Sequence, residues 1–404
     1  MKLLVTSINY APEPTGTGPY SAILCEEFAR RGHDVQVVCG NPFYPQWQVY
    51  DGYTNSWWKN EHRNGVQLFR CPIYVPASVN GLKRLLHYLS FTCTAWPRLM
   101  MQMLFRRPDV MLCVAPTLMA MSFVTPFARL LGIKTWIHIQ DFEVEAGFAT
   151  NQLKSDSLVG RLAKAFENFS FWGYDFASTI SPAMLRKLKT KVHTRTRIQE
   201  LRNWAELDLI KVQTHSSYRD TWNISTPYVA LYSGSVAKKQ GIDVLIDVAD
   251  RLAARGDITI IICGNGPEVE DLQKQGAHVP NLQFHGLQPM SQLSDLLALA
   301  TVHLLPQKSD AADLVLPSKM ANMLASGRPI VAGAGAGTSL ADEIDGCGIA
   351  VQPEDADAMA KAVASLLDDE GERDQLGRTA RLRAESDWSK PAIMNKFNNA
   401  LLNV

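Results

Sequence analysis

A chain of 404 residues, 46% of them hydrophobic, is too long for one ordinary core and has enough apolar content to fill two domains of about 200 residues each. Lys and Arg number 40, as do Asp and Glu, so no overall field favours nucleic acid as a partner. The halves differ: Met1 to Ala205 holds 23 basic and 14 acidic residues, so about +9 there faces about −9 in the remainder.

In chain order, the apolar run Leu3 to Ile8 predicts a strand, and the loop Pro14-Thr-Gly-Thr-Gly-Pro19 leads into a helical pattern over Tyr20 to Arg31. Further strands are expected at Val35 to Cys39, Val66 to Arg70, Val110 to Val114 and Thr135 to Ile139, with one helix over Met119 to Leu131. Short buried strands separated by helices predict a parallel, doubly wound sheet. The pattern then restarts. Strands are expected at Tyr228 to Ser233, Ile258 to Cys263, Val302 to Pro306 and Pro329 to Ala332, with helices at Gly241 to Ala254 and Val269 to Gln275.

The expected architecture is therefore α/β, with two Rossmann-like domains facing each other across a cleft. Their bounds are 1–205 and 206–386, and a C-terminal helix in 387–404 packs back on the first. Open parallel sheets bind ligands beyond the carboxyl ends of their strands.

Seven cysteines include no CxxC pair, which suits buried thiols in a reducing compartment better than disulfides or zinc. No charged-then-apolar leader opens the chain and no apolar run reaches about 18 residues, so a cytoplasmic protein is expected. Asn80 to Arg107 mixes Leu82, Leu85, Leu86, Leu89, Trp96 and Leu104 with Lys83, Arg84, Arg98, Arg106 and Arg107. Such a basic amphipathic stretch is either a membrane-interface segment or a pair of surface helices with their apolar faces in the core.

The first glycine loop has the outline of a phosphate cradle, because a helix N-terminus presents unpaired N–H groups and a partial positive charge. Gly16 and Gly18 are its candidates. A dinucleotide fingerprint would need a third glycine where Ser21 stands and an acid after the second strand, where Cys39-Gly40-Asn41 stands. The second half supplies more. Gly234-Ser-Val-Ala-Lys-Lys-Gln-Gly241 places Lys238 and Lys239 just before a helix, Cys263-Gly-Asn-Gly-Pro267 closes a strand, and Leu316-Pro-Ser-Lys319 opens another helix. Each alone could be a structural turn or a solvated lysine. Three at corresponding strand ends of one domain match a diphosphate.

With these elements in this order, the whole chain resembles a GT-B glycosyltransferase of family four, the retaining class that uses sugar nucleotides. Ile8-Asn-Tyr-Ala-Pro-Glu13, Asn41-Pro-Phe-Tyr-Pro-Gln-Trp47, His138-Ile-Gln-Asp-Phe-Glu-Val144, Tyr232-Ser-Gly234 and Leu316-Pro-Ser-Lys319 resemble the colanic-acid-type fucosyltransferases of bacterial exopolysaccharide assembly. The resemblance implies a donor nucleotide on the C-terminal domain and an acceptor on the N-terminal one. It implies no cofactor beyond the nucleotide-sugar co-substrate, with a GDP-sugar favoured, and no metal. Implied partners are a polyprenyl-diphosphate-linked glycan acceptor and an anionic membrane surface, with peripheral attachment to the inner face of the cell membrane.

By position, Lys239, Ser318 and Lys319 would hold the donor diphosphate, and His138 would approach the donor sugar. Gly18, Gly234, Lys238, Gly264 and Leu316 fall on the donor side, Tyr10 and Glu143 on the acceptor side. Ser235 and Gln240 stand where the family has basic residues, and Leu314 and Asn322 where it has a pair of glutamates. Asn322 can keep a hydrogen bond to ribose but supplies no carboxylate.

Breaking the bond between a sugar and a nucleotide diphosphate develops negative charge on the leaving group, which preorganised cations and N–H groups stabilise. The DxD string Asp355-Ala-Asp357 opens a helical pattern, where acids act as a cap rather than as metal ligands. Other readings of the same fold are a UDP-hexose or GDP-mannose donor, or a sugar-nucleotide epimerase.

Overall fold

The computed structural model describes residues 1–77, 81–122, 124–142, 158–309 and 316–404. Two compact units emerge, Met1–Leu201 with Met394–Val404, and Arg202–Ile393. The chain changes unit slightly before Ala205 and returns after Asp387, because the two crossing segments are tied together inside the second unit. Ala205 N–H donates to Trp388 O at 2.8 Å, and Arg202 pairs with Glu343 at 2.5 Å while lying over the Trp388 ring.

The first unit has an eight-stranded sheet in the order β3-β4-β2-β1-β5-β6-β7-β8. Its strands are β1 (Lys2–Ser7), β2 (Asp34–Gly40), β3 (Lys59–Arg63), β4 (Val66–Cys71), β5 (Val110–Ala115), β6 (Lys134–Ile139), β7 (Phe176–Thr179) and β8 (Arg197–Glu200). All neighbours run parallel except β3, which pairs antiparallel with β4. β3 is KNEHR, an exposed edge without an apolar face, so hydropathy gives no sign of it. Its turn does: Asn64 and Gly65 both have positive φ, 46° and 82°, the requirement of a type I′ hairpin. β7 and β8, at four residues each, are too short to show a period.

Helices of this unit are α1 (Thr17–Arg30), α2 (Gly81–Arg106), α3 (Leu118–Ser122), α4 (Thr125–Leu130), α5 (Leu158–Phe171) and α6 (Pro182–Lys191). α2 is one continuous 26-residue helix with Pro97 inside, not a pair. The expected helix over Met119 to Leu131 is instead two, with Pro126 in the first turn of α4, where its missing N–H costs nothing.

The second unit has six parallel strands in the order β11-β10-β9-β12-β13-β14. They are β9 (Tyr228–Ser233), β10 (Ile258–Cys263), β11 (Leu282–His285), β12 (Val302–Leu305), β13 (Ile330–Gly333) and β14 (Gly348–Val351). Its helices are α7 (Tyr218–Thr221), α8 (Val244–Leu252), α9 (Val269–Gln275), α10 (Leu293–Ala298), α11 (Ser318–Ala325), α12 (Ser339–Ile344), α13 (Ala356–Asp368) and α14 (Glu370–Asp387). The last helix, α15 (Lys390–Leu402), carries the chain back into the first unit. The helix expected from Gly241 begins at Val244, because Lys238–Gln240 forms a separate 3-10 turn closed by Gly241 at φ 62°.

Six of the cysteines are buried, while Cys93 is exposed on α2. Asp355 caps α13 by accepting from Ala358 N–H at 2.9 Å, and Asp357 pairs with Arg251. One acid of the DxD string is thus committed to the helix start and the other to an ion pair with α8. Among the described residues no helix is long and apolar enough to cross a membrane.

The carboxyl ends of β9 and β10 interlock through bare backbone. Gly234 N–H donates to Cys263 O and Val236 N–H to Asn265 O, both at 2.9 Å. A Cβ on Gly264 would lie 1.8 Å from Gly234 O, and one on Gly266 would lie 1.8 Å from Val236 O. Gly266→Ala must push these loops apart, and a loss of about 2–4 kcal/mol of stability is expected, read as the denaturation midpoint of the second unit. Gly286→Ala, whose added Cβ meets nothing closer than 3.7 Å, is the control that should leave the midpoint within the ordinary surface range.

Candidate functional site

In the second unit, three elements bring their predicted residues to the carboxyl edge of the sheet. The loop after β9 carries Gly234 and the lysine turn, the loop after β10 carries Gly264, and α11 starts beside them. Lys319, on the first turn of α11, donates from Nζ to the Tyr232 hydroxyl at 2.6 Å and lies 4.0 Å from that ring's centroid. The Tyr232 hydroxyl in turn donates to Ser235 O at 2.5 Å. A Cβ on Gly234 would lie 3.1 Å from Lys319 Nζ; the lysine passes over that glycine, whose φ of 140° is a conformation other residues rarely adopt.

Burial raises the Tyr232 pKa, so the hydroxyl stays protonated and can donate to Ser235 while accepting from Lys319. Pro317 precedes α11 and offers no side-chain cap, and its carbonyl accepts from Met320 N–H at 3.0 Å; a helix start without a side-chain cap is suited to an anion. Lys238 is exposed on the 3-10 turn, and Lys239 contributes its backbone to the same turn. Gln240 Oε1 is buried without a hydrogen-bond partner among the described residues, an acceptor left open beside the lysines.

Two donor-side expectations are corrected. Leu316 is buried, 6% exposed, in the core with Met320 and Leu324, so its side chain serves packing. Asn322 Oδ1 accepts from Glu206 N–H at 3.1 Å; the amide fastens the segment entering the unit to α11 rather than presenting itself to a ribose. Ser318 is the first residue of α11, the helix start expected for it.

In the first unit the carboxyl edge is organised by Glu13, which motif reading passed over although it closes the block Ile8 to Glu13. Its Oε1 accepts from Phe43 N–H at 2.9 Å and Tyr44 N–H at 3.0 Å, and Oε2 accepts from Asn9 Nδ2 at 2.9 Å. One carboxylate therefore joins the loop after β1 to the loop after β2. Burial raises its pKa against the lowering effect of those same hydrogen bonds. A Cβ on Gly18 would meet Glu13 Oε2 at 3.0 Å, and one on Gly16 would meet the Tyr44 ring at 3.2 Å. Gly16, the N-cap residue of α1, has φ 74°, a conformation that favours glycine, and Gly18 lets the Glu13 carboxylate approach closely.

Tyr10 and His138 are corrected more sharply. Tyr10 is fully buried beside Arg70, and burial raises its pKa, so it faces the core and no acceptor. His138 is 1% exposed and packs edge-on against Phe397, with centroids 5.2 Å apart. Its Nδ1 lies 2.9 Å from Ser178 Oγ, and its Nε2 lies 2.9 Å from Gln140 Nε2. The amide donates to Nε2, which leaves the proton on Nδ1 to bond Ser178. Burial pushes the ring's pKa down to about 3. His138 is a neutral, satisfied core group on β6; the strand's alternation, which sequence alone does not orient, turns it away from the edge. Glu143 lies outside the described residues.

Two doubly wound units, one with a lysine clamped over a glycine loop at its strand ends, give an architecture that known proteins share. The chain belongs to the glycosyl transferases group 1 family: residues 216–383 match the group 1 domain and residues 15–204 match the glycosyl transferase 4-like domain. It is 35% identical to the putative colanic acid biosynthesis glycosyl transferase WcaI of Escherichia coli (strain K12), over 99% of both chains. Among solved structures it is similar to sucrose-phosphate synthase from Thermosynechococcus elongatus, at 16% identity and a TM-score of 0.76, covering 100% of this chain and 98% of that one. Anabaena HepE in complex with UDP and glucose matches at 15% identity and a TM-score of 0.69 over 100% of both. The protein is a glycosyltransferase with the GT-B fold.

Two outcomes test this geometry. Glu13→Ala strands buried N–H groups and should cost about 1–3 kcal/mol. Glu13→Gln can still accept from Phe43 and Tyr44 and should recover most of that, as compared by chemical denaturation. For His138, the folded pKa of about 3 lies below the ordinary 6.5. The unfolded chain then binds more protons between those values, and stability falls as pH drops through that window, by at most about 1.4 kcal/mol per pH unit from this ring. His138→Gln should be less stable at neutral pH and show a shallower slope in melting temperature between pH 6.5 and the acid limit.

Proposed function

We propose that this glycosyltransferase moves fucose from GDP-fucose, with retention of configuration, onto a lipid-linked oligosaccharide during exopolysaccharide assembly. The observation that carries the reading is Lys319 held over Gly234 by Tyr232, a cation preorganised where a diphosphate would meet the first turn of α11. The 35% identity to a relative whose name places it in colanic acid biosynthesis supports the pathway class. In the reaction the C1–O bond to the diphosphate breaks and a C1–O bond to the acceptor hydroxyl forms, while the hydroxyl's proton passes to the departing diphosphate. Charge builds on that leaving group, and Lys319, the lysine turn and the α11 N–H groups stabilise it. The acceptor lies on the first unit, at the carboxyl edge of the sheet that Glu13 orders.

The acceptor is a polyprenyl-diphosphate-linked glycan, which confines the enzyme to a membrane surface. The basic excess of the first 205 residues supports peripheral attachment to an anionic inner leaflet.

A thermal-shift panel of nucleotides and nucleotide sugars tests the donor, since a ligand bound by the native state alone raises stability with its occupancy. GDP and GDP-fucose should stabilise selectively. Selective stabilisation by UDP forms, the nucleotide seen with HepE, would overturn the GDP assignment. Lys319→Ala should lose transfer on the order of a hundredfold with its fold intact; unchanged turnover removes the lysine from the mechanism.

A further inference from the structure

We propose that the cavity at the amino ends of β6, β7 and β8 binds the phosphate of an anionic phospholipid headgroup; this rests on the membrane attachment argued above and gives it a specific site. The cavity measures about 400 Å³, and its lining includes Arg129, Lys134, Trp172, His193, Arg195 and Arg197. These residues begin β6 and β8 or end the helices that lead into β6 and β7. Glu13 and Gly16 lie at the opposite edge of the same sheet, so the cavity is separate from the carboxyl-edge loops.

Charge selects the ligand. Arg129, Lys134, Arg195 and Arg197 line the hollow against two carboxylates, those of Asp175 and Val404, so a cationic excess remains for an anion to meet. Among the described residues Arg129, Lys134 and Arg195 form no ion pair within 4.0 Å, and Asp175 Oδ2 is committed to Thr135, accepting from its N–H and Oγ1, both at 2.9 Å. Arg197 donates to the carbonyl of Asn403. His193 accepts at Nδ1 from Arg195 N–H at 3.1 Å and meets Trp172 edge-on at 5.6 Å, so its other ring nitrogen remains for the ligand. Guanidinium forks and an ammonium suit phosphate oxygens. The volume lies in the range of small-molecule sites and admits a phosphodiester with its glycerol.

Surroundings select the source of that phosphate. α3 packs against α2, α4 and α5, and three connections that lead into β5, β6 and β7 expose a large apolar side chain at this edge. Phe105 is 85% exposed, Leu130 82% and Trp172 61%. Phe169 and Leu104 are exposed beside them. Apolar and aromatic groups next to unpaired cations match the boundary between acyl chains and anionic headgroups, whereas a soluble phosphate would need no apolar rim.

The test is flotation of the full chain with phosphatidylcholine vesicles, with and without phosphatidylglycerol. Arg129→Ala/Lys134→Ala/Arg195→Ala should weaken binding to the anionic vesicles on the order of a hundredfold, and Arg195→Glu alone should weaken it measurably. Stabilisation by the best nucleotide of the donor panel should stay unchanged in both. Lys211→Ala/Lys274→Ala/Lys361→Ala, which removes the same charge from the second unit, should float like the unaltered chain. If the pocket variant also floats like the unaltered chain, the headgroup site is wrong while membrane attachment stands. An unaltered chain that floats with neither vesicle ends both. Protection by inorganic phosphate without flotation, or a dimer that hides this face from vesicles, likewise overturns the lipid assignment.

Discussion

The contact between the Gly234 and Gly264 loops sets the terms for the carboxyl edge of the second unit's sheet. Two strand ends meet backbone to backbone, with a separation that a single methyl group would abolish. That closeness leaves room above Gly234 for one long side chain, and Lys319 fills it. Tyr232 lies beneath the lysine as the last large core residue of β9 and turns its hydroxyl outward to the loop. Cation, glycine turn and helix start are therefore fixed relative to each other by the sheet, before any nucleotide arrives. Preorganisation of this kind is what makes electrostatic stabilisation effective, because the donors need no reorientation when charge develops.

The first unit solves a different problem, which is to keep polar groups inside a wide sheet. Arg70 is 1% exposed and is satisfied by Glu61, Gly40 O and Ala11 O. His138, Ser178, Trp136 and Gln140 satisfy one another across β6 and β7. Glu13 does the same for two loops at once. Each is a buried group whose partners are complete, which is the condition for polar burial to be tolerated. The function of these residues is to hold the loops, and only the loops face outward.

Much of the fold was legible because buried parallel strands are apolar runs of five to seven residues, and the β1, β2, β5, β6, β9 and β10 runs stand out. What escaped was short or charged: β3 is an all-polar edge strand, and β7, β8, β11 and β14 are four-residue segments without a period. The glycine and lysine loops of the second unit were legible as strand-end turns because they follow apolar runs directly and precede helical patterns. Site residues failed where their direction mattered. Tyr10 and His138 sit at informative places in the chain, but a strand's two faces look alike in sequence, and here those side chains point inward. Leu316 and Asn322 belong to a recognisable motif, yet their contacts are with core and linker. Glu13 and Tyr232 lay in quoted blocks, but their importance depends on partners 30 and 87 residues away.

The return of α15 to the first unit has a consequence for synthesis. Phe397 stacks on Trp136 and meets His138 edge-on, and Asn398 bonds His33. The core that β6 begins to assemble early in translation is closed by residues made more than 250 positions later. The second unit, Arg202–Ile393, is an uninterrupted stretch and can complete itself first. Domains usually fold in the order in which they leave the ribosome; in this chain the unit that starts first is the last to be finished, and until then the ring stack under α15 is an open apolar seam.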